Sequence, residues 1–258
     1  MKHLKKFDLP AEEEVQSAKW KQKLTSFLDY NGDLHDIDHL NSIFSPLSFL
    51  ERIHLLYAYF RPEEVLLTSS FGANSAFLLA QVSKMRPTQA VHFIDTGFHF
   101  EETLAYRNTL ADKLNIRVVN VLPDPTDHQK VEATQLWSSD PDACCDLNKV
   151  QPLNEVKKQF KVWISGLMGF QTPYRAGLQV FEKQGDLLKF HPLIDISEAD
   201  FQAAFAEMDL PAHPLSACGY GSIGCTHCTK KGDGRSGRWA EEQKTECGLH
   251  PDFFSKKK

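Results

Sequence analysis

The stretch "EEVLLTSSFGANSAFLLAQVSKM" (Glu63–Met85) decides how the chain folds. Its first half is a short apolar run that ends in a polar turn, "SSFGANS" (Ser69–Ser75), and its second half carries apolar residues at helical spacing. The pattern then repeats. "AVHFIDTG" (Ala90–Gly97) reads as a second strand ending on Asp95, Thr96 and Gly97, "FEETLAYRNTLADKLN" (Phe100–Asn115) as a helix, and "IRVVNVLPD" (Ile116–Asp124) as a third strand. Strands alternating with helices predict a parallel sheet joined by right-handed crossovers. "FKVWISGLMG" (Phe160–Gly169) and "LLKFHPLID" (Leu187–Asp195) supply further strands. The expected fold class is α/β with an open sheet across residues 60–210 and a ligand crevice at the carboxyl ends of the strands.

Either side of this core the pattern differs. Residues 10–60 read as helices: "AEEEVQSAKWKQKLTSFLDY" has acids early and lysines late, and "SPLSFLERIHLLYAYF" has Pro46 behind a candidate Ser45 cap. "SEADFQAAFAEMD" opens on a serine with an acid three positions on, a helix-start signature. Beyond Pro211, glycine, proline and cysteine accumulate and periodicity fades. The expected divisions are a helical segment over 1–60, a nucleotide-binding domain over 61–215, and a Cys-bearing closing segment and tail over 216–258.

The net charge of -5 leaves no global pull towards nucleic acid or an anionic membrane, so any anion site must be local. "MKHLKKFDLPAEEE" has no apolar run behind its basic residues, and no stretch approaches the roughly 20 apolar residues of a membrane span, so a cytoplasmic protein is expected. In that reducing compartment six cysteines read as metal ligands or catalysts before disulfides.

The first glycine turn offers backbone amides, a helix amino end and the hydroxyls of Ser69, Ser70 and Ser75, which suits a phosphate. It is not a Walker A loop, since no Gly-Lys-Ser/Thr closes it; the plainer alternative is a tight turn that needs Gly72 for its backbone angles. Cys144 and Cys145 are adjacent in "PDACCDLNKV", and Cys225 and Cys228 form C-x-x-C in "GSIGCTHCTKKG". Two such pairs suit zinc or a cubane iron–sulfur cluster, with free thiols as the plain alternative. Cα atoms about 3.8 Å apart crowd a single small ion, and a cubane takes a vicinal pair more easily. Cys218 has no partner at ligand spacing and reads as a small hydrophobe. Arg235 and Arg238, three apart in "GRSGRW", share a face if helical and suit phosphate or sulfate oxygens; a solvated basic loop is the alternative. Cys247 follows in "ECGLH", where positive neighbours would favour its thiolate.

Taken in order, "SSFGANS", "DTG", "CC…K", "GYGSIGCTHC", "GRSGRW" and "ECGLH" resemble the assimilatory sulfonucleotide reductases, in the form with both cysteine pairs that reduces adenylyl sulfate (APS) with thioredoxin. The resemblance covers about residues 60–250. It implies an adenine nucleotide α-hydrolase-like, Rossmann-like sheet and a [4Fe–4S] cluster on Cys144, Cys145, Cys225 and Cys228. It further implies Lys149, Arg235 and Arg238 beside the sulfonucleotide, Ser69, Ser70, Gly72, Ser75 and Asp95 in the nucleotide-binding turns, and Cys247 as the nucleophile. The products would be sulfite and AMP, in sulfate assimilation and cysteine biosynthesis. The reductant would be thioredoxin or a glutaredoxin-like protein, and the assembly a homo-oligomer. Members preferring 3′-phosphoadenylyl sulfate (PAPS) usually lack the cysteine pairs. PAPS reduction, tRNA thiolation and a non-catalytic iron–sulfur nucleotide sensor are the alternatives. Leu167, Met168, Gly169 and Phe170 stand where the family usually has basic residues, with Arg175 nearby as compensation; Asn74 replaces a frequent acid and Asn148 a frequent second base.

Overall fold

The computed structural model describes residues 36–239, 246, 248 and 249. The expected helix over 11–30, the tail beyond Leu249 and Cys247 itself lie outside the described residues. The described chain divides into two units, one made of residues up to Val65 with Lys161–Asp209, the other of Leu66–Phe160 with the residues from Leu210 on.

The second unit carries the motif that opened the sequence reading. Strand β1 (Val65–Ser69) pairs in parallel with β2 (Val91–Ile94), Leu67 opposite Val91, and β2 pairs in parallel with β3 (Val118–Val121), Phe93 opposite Asn120. The crossovers are helices α3 (Ser75–Met85) and α4 (Glu101–Leu114). β2 is buried at every position, as a strand covered on both faces must be, and its composition is accordingly a continuous apolar run around His92. Phe71, Phe77 and Phe93 are fully buried, with Phe71 and Phe93 edge to face at 5.6 Å. After β3 come α5 (Pro125–Thr134), the single turn α6 (Leu136–Ser139) and α7 (Pro141–Cys145). A π-helical turn (Asp146–Val150) then leads into α8 (Gln151–Lys157).

In the first unit, α1 (Ile37–Phe44) and α2 (Phe49–Tyr59) precede β4 (Val162–Ile164), the short helix α9 (Pro173–Ala176), β5 (Phe181–Gln184), β6 (Leu187–Phe190) and α10 (Glu198–Ala206). The cap of α2 is Ser48, not Ser45: Ser48 Oγ accepts from the Glu51 amide while Glu51 accepts from the Ser48 amide at 2.8 Å. The cap of α10 is Ser197, as its signature predicted. β4 and β6 are parallel. β5, which the sequence reading left out, pairs antiparallel to β6 through a hairpin turned by Gly185 at φ 62°. Its edge is closed by Asn41, whose amide donates to Phe181 O at 3.0 Å and accepts from Phe181 N at 2.8 Å. Buried Arg52 has all five N–H donors engaged: two on Asp195 at 2.6 Å, the others on the carbonyls of Phe44, Ser45 and Pro192.

Candidate active site

The carboxyl ends of β1 and β2 lie in the second unit, and the two glycine-bearing turns follow them. At the first, Ser69 Oγ accepts from the Phe71 amide at 3.0 Å and Ser75 Oγ donates to Gly72 O at 2.7 Å, while Ser70 is exposed. The residue in the left-handed region is Phe71, at φ 49°, and not Gly72. Gly72 is small for another reason: a Cβ there would sit 3.2 Å from Ile223 O, on the segment that leads to Cys225. Asn74 caps α3 without a side-chain hydrogen bond, so the first-turn amides of α3 receive nothing from it.

The second turn serves the cysteines. Asp95 Oδ1 accepts from the Gly97 amide at 3.1 Å, and Thr96, 1% exposed, places its hydroxyl 3.2 Å from Cys225 Sγ. The next residues hold the C-x-x-C segment: His99 bridges Cys225, and the Thr226 amide donates to Phe98 O at 2.8 Å. Cys225 caps a 3-10 turn (Thr226–Cys228) that fixes the second cysteine of the pair.

Cys144 and Cys145 come from the other side, at the end of α7, where Asp140 caps the helix and Pro141 starts it. Both are buried, and the π-turn that follows carries Asn148 and Lys149; such turns recur at functional sites. All four cysteines line one cavity of about 290 Å³, counting its solvent-open part, together with Thr96, Lys149 and His227. Burial, then the charges of Cys145, Cys225 and Cys228, push the Cys144 thiol up to about 12; burial, then Cys225 and Cys145, push Cys228 up to about 11. Lys149 opposes both shifts and Arg238 that of Cys228. Both shifts have the same physical cause, thiols buried together in one cavity, where each disfavours negative charge on its neighbour. Among the described residues no three of His, Cys, Asp or Glu are gathered tightly enough to grip a single metal ion. Two cysteine pairs on one cavity, one of them vicinal, match the donor chemistry of a cubane.

Aromatic rings wall this centre, and the sequence reading missed them. Trp137 and His227 stack at 4.0 Å and 6°, and Phe98 meets them edge-on at 5.2 and 5.1 Å. Phe98, Val131 and Cys144 form a small apolar cluster of their own. The histidine inside C-T-H-C was the one available signal for the stack. Cys218 is exposed, which goes against its reading as a small hydrophobe.

Arg235 and Arg238 are not helical. They flank a hydrogen-bonded turn, Arg238 N to Arg235 O at 3.0 Å, and both guanidinium groups lie over Trp239, at 5.9 and 4.3 Å. Arg238 Nε donates to Cys228 O at 3.3 Å, and Gly224 leaves it room, because a Cβ there would meet the guanidinium at 2.4 Å. Arg235 lies 3.6 Å from Glu246, which is fully buried and precedes Cys247 in the chain. In the first unit, Met168 is buried and Gly169 packs against Ile194 O, so the apolar residues of "GLMGF" are there for packing; Arg175 is buried and bonds Gln171 Oε1.

A parallel sheet with polar turns at its strand ends, together with a four-cysteine cavity and two ordered arginines, defines a nucleotide-type α/β protein. Residues 64–231 match the phosphoadenosine phosphosulfate reductase domain, and the chain belongs to that family. It is 39% identical over 240 residues to an adenosine 5′-phosphosulfate reductase of Mesorhizobium japonicum, covering 86% of this chain and 92% of that one. It is 36% identical over 199 residues to a phosphoadenosine 5′-phosphosulfate reductase of Gloeobacter violaceus, covering 73% and 83%. The crystal structure of phosphoadenylyl-sulfate (PAPS) reductase from Candida auris, a phosphate complex, superposes with TM-score 0.65 at 25% identity, over 78% of this chain and 99% of that one.

Proposed function

We propose that this protein reduces adenylyl sulfate to sulfite and AMP in sulfate assimilation, with thioredoxin or a related dithiol as reductant, in the cytoplasm. The observation that carries the reading is the convergence of both cysteine pairs on one cavity with Lys149, with Arg238 fastened to the backbone of Cys228. The relative from Mesorhizobium japonicum, which this chain matches along most of both lengths, bears the name of that activity.

Cys144, Cys145, Cys225 and Cys228 would hold a [4Fe–4S] cluster, which would tie the two cysteine pairs together and stiffen the site. Ser70 offers its hydroxyl and the turn its amides to the nucleotide phosphate, Ser69 and Ser75 brace that turn on its own backbone, Gly72 gives it room, and Asp95 shapes the neighbouring turn. Lys149, Arg235 and Arg238 neutralise the sulfonucleotide. The Cys247 thiolate forms a bond to the sulfur of adenylyl sulfate; the bond from that sulfur to the phosphate oxygen breaks, and AMP leaves with the electron pair. A thiolate of the reductant then attacks the Cys247 sulfur. Sulfite departs, its sulfur reduced by two electrons, and the second thiol of the reductant closes a disulfide and returns Cys247 as a thiol.

A trapping experiment tests the reading. Enzyme purified without oxygen and mixed with adenylyl sulfate alone should carry one sulfonate on Cys247 by peptide mass spectrometry; label on Cys218 with none on Cys247 refutes it. The second reading, PAPS as substrate, is favoured by the names of the relative from Gloeobacter violaceus and of the structure from Candida auris. Sulfite release from the two nucleotides at equal concentration decides between them. Nucleotide affinity with no sulfite from either would indicate a sensor.

A further inference from the structure

Asn148 lies in the π-helical turn that follows Cys144 and Cys145, and its side chain has a defined task there. It is 1% exposed and reaches no surface. Its Oδ1 lies 2.8 Å from His128 Nδ1, and its Nδ2 lies 3.1 Å from Cys144 O and 3.9 Å from Cys144 Sγ. The carbonyl of Cys144 only accepts, so the NH₂ end of the amide is the end that faces Cys144. The amide oxygen therefore faces His128, and His128 Nδ1 carries the hydrogen of that bond.

His128 is itself held in place. Its ring packs on Phe98 at 4.9 Å, and its Nε2 lies 3.6 Å from the exposed Glu132. It comes so close to the turn after β2 that a Cβ on Gly97 would sit 2.5 Å from the ring. Gly97 is also at φ 75°, so both its backbone and its missing side chain are used. The Asp95–Gly97 turn thus touches both cysteine pairs, through Thr96 to Cys225 and through Gly97, His128 and Asn148 to Cys144.

We propose that Asn148, oriented by His128, is a positioning residue for the Cys144 thiolate, a neutral N–H donor aimed at its sulfur. The inference rests on the iron–sulfur reading of the four cysteines. Partners that orient a ligand in this way typically alter metal retention by about 10- to 100-fold when changed, and hydrogen bonds to the sulfurs raise a cluster's reduction potential.

The test uses full-length protein purified without oxygen, wild type against Asn148→Asp, Asn148→Leu and His128→Phe. Iron release to an excess of chelator and the cluster reduction potential are measured, and melting of the iron-free forms reports the fold. Asn148→Asp turns a carboxylate oxygen onto the sulfur and should release iron at least about tenfold faster than wild type, with the lowest potential. Asn148→Leu and His128→Phe should fall between. Equal behaviour of the Asp and Leu variants overturns the inference, because packing alone would then explain the residue. Wild-type release rates and potentials in all three, with iron present, overturn it also while leaving the cofactor reading intact. Wild-type protein that binds no iron when reconstituted sinks the cofactor reading and the inference together.

Discussion

The turns after β1 and β2 look alike in sequence and behave differently in space. Each is polar, carries a glycine and ends a buried parallel strand. The first, Ser69–Ser75, folds back on itself: two hydroxyls close its own backbone and one stays exposed. The second, Asp95–Gly97, spends only Asp95 on itself and sends Thr96 and Gly97 into the cysteine centre. The position of a turn at the end of a strand puts it in the crevice, but the segment packed on it decides its chemistry. Ile223 presses on Gly72, and His128 presses on Gly97.

Four experiments break or sharpen that contrast. The largest effect belongs to neither turn and serves as the reference: Cys247→Ser should lower sulfite formation by about a thousandfold or more, since hydroxyl replaces the thiolate nucleophile, while AMP binding and iron content stay at wild-type levels. Sulfite assay and iron analysis on one preparation check this.

Gly97→Ala is the next largest. It forces an alanine to φ 75° and a Cβ onto the His128 ring, which should cost about 2–3 kcal/mol in denaturant unfolding and strip iron from the protein. Gly72→Ala in the first turn meets only a carbonyl at 3.2 Å, in a conformation any residue can take, and should cost about 1 kcal/mol or less with iron retained. Similar losses from both variants would erase the distinction between the turns.

The helix that follows the second turn also bears on the contrast, because α4 receives the segment leading to the C-x-x-C pair. His213, 1% exposed, bonds Thr103 at 3.1 Å and packs tilted against the Tyr106 ring at 4.8 Å. Burial lowers its pKa to about 4. In the window from the unfolded value of about 6.5 down to about 4 the unfolded chain binds the proton and the folded one does not, so stability falls as pH falls. Between pH 7.5 and 5 the loss should be about 1–2 kcal/mol, and His213→Gln should flatten that part of the profile. A slope unchanged in the variant would assign the acid sensitivity to other groups, the fully buried His191 foremost, whose pKa burial lowers to about 3.

Thr96→Val is the smallest and the most specific. It keeps the shape and removes the hydroxyl beside Cys225, so iron release should quicken severalfold with about 1 kcal/mol of stability lost, and AMP affinity should hold. Ser70→Ala, which removes the exposed hydroxyl of the first turn, should do the reverse, weakening AMP binding and sparing iron. If Thr96→Val weakened the nucleotide and left iron alone, the assignment of the second turn would be wrong.

How much of this was legible beforehand varies by region. The strands of the second unit were, because β1 and β2 are apolar runs bounded by turn residues. β5 was not: "FEKQ" is short and mostly polar, and only its pairing with β6 and the Asn41 side chain make it a strand. The arginines were found by residue type, but their helical spacing was a false lead, since three glycines, at 232, 234 and 237, turn that segment back on itself. Thr96, His128, Asn148 and the Trp137–His227 stack left little trace, because each is defined by a partner distant in sequence.

The sequence by itself determined which chemistry was available: two cysteine pairs, two turns ending buried strands, a pair of arginines and a tail cysteine, each recognisable from local spacing. Only the tertiary structure decided the pairing of these parts, bringing both cysteine pairs to one cavity and committing the second turn to sulfur. The reason is physical. Periodicity and turn chemistry act over a few residues, whereas the contacts that assign a side chain its task are made across gaps of twenty to more than a hundred residues, by packing that no local pattern encodes.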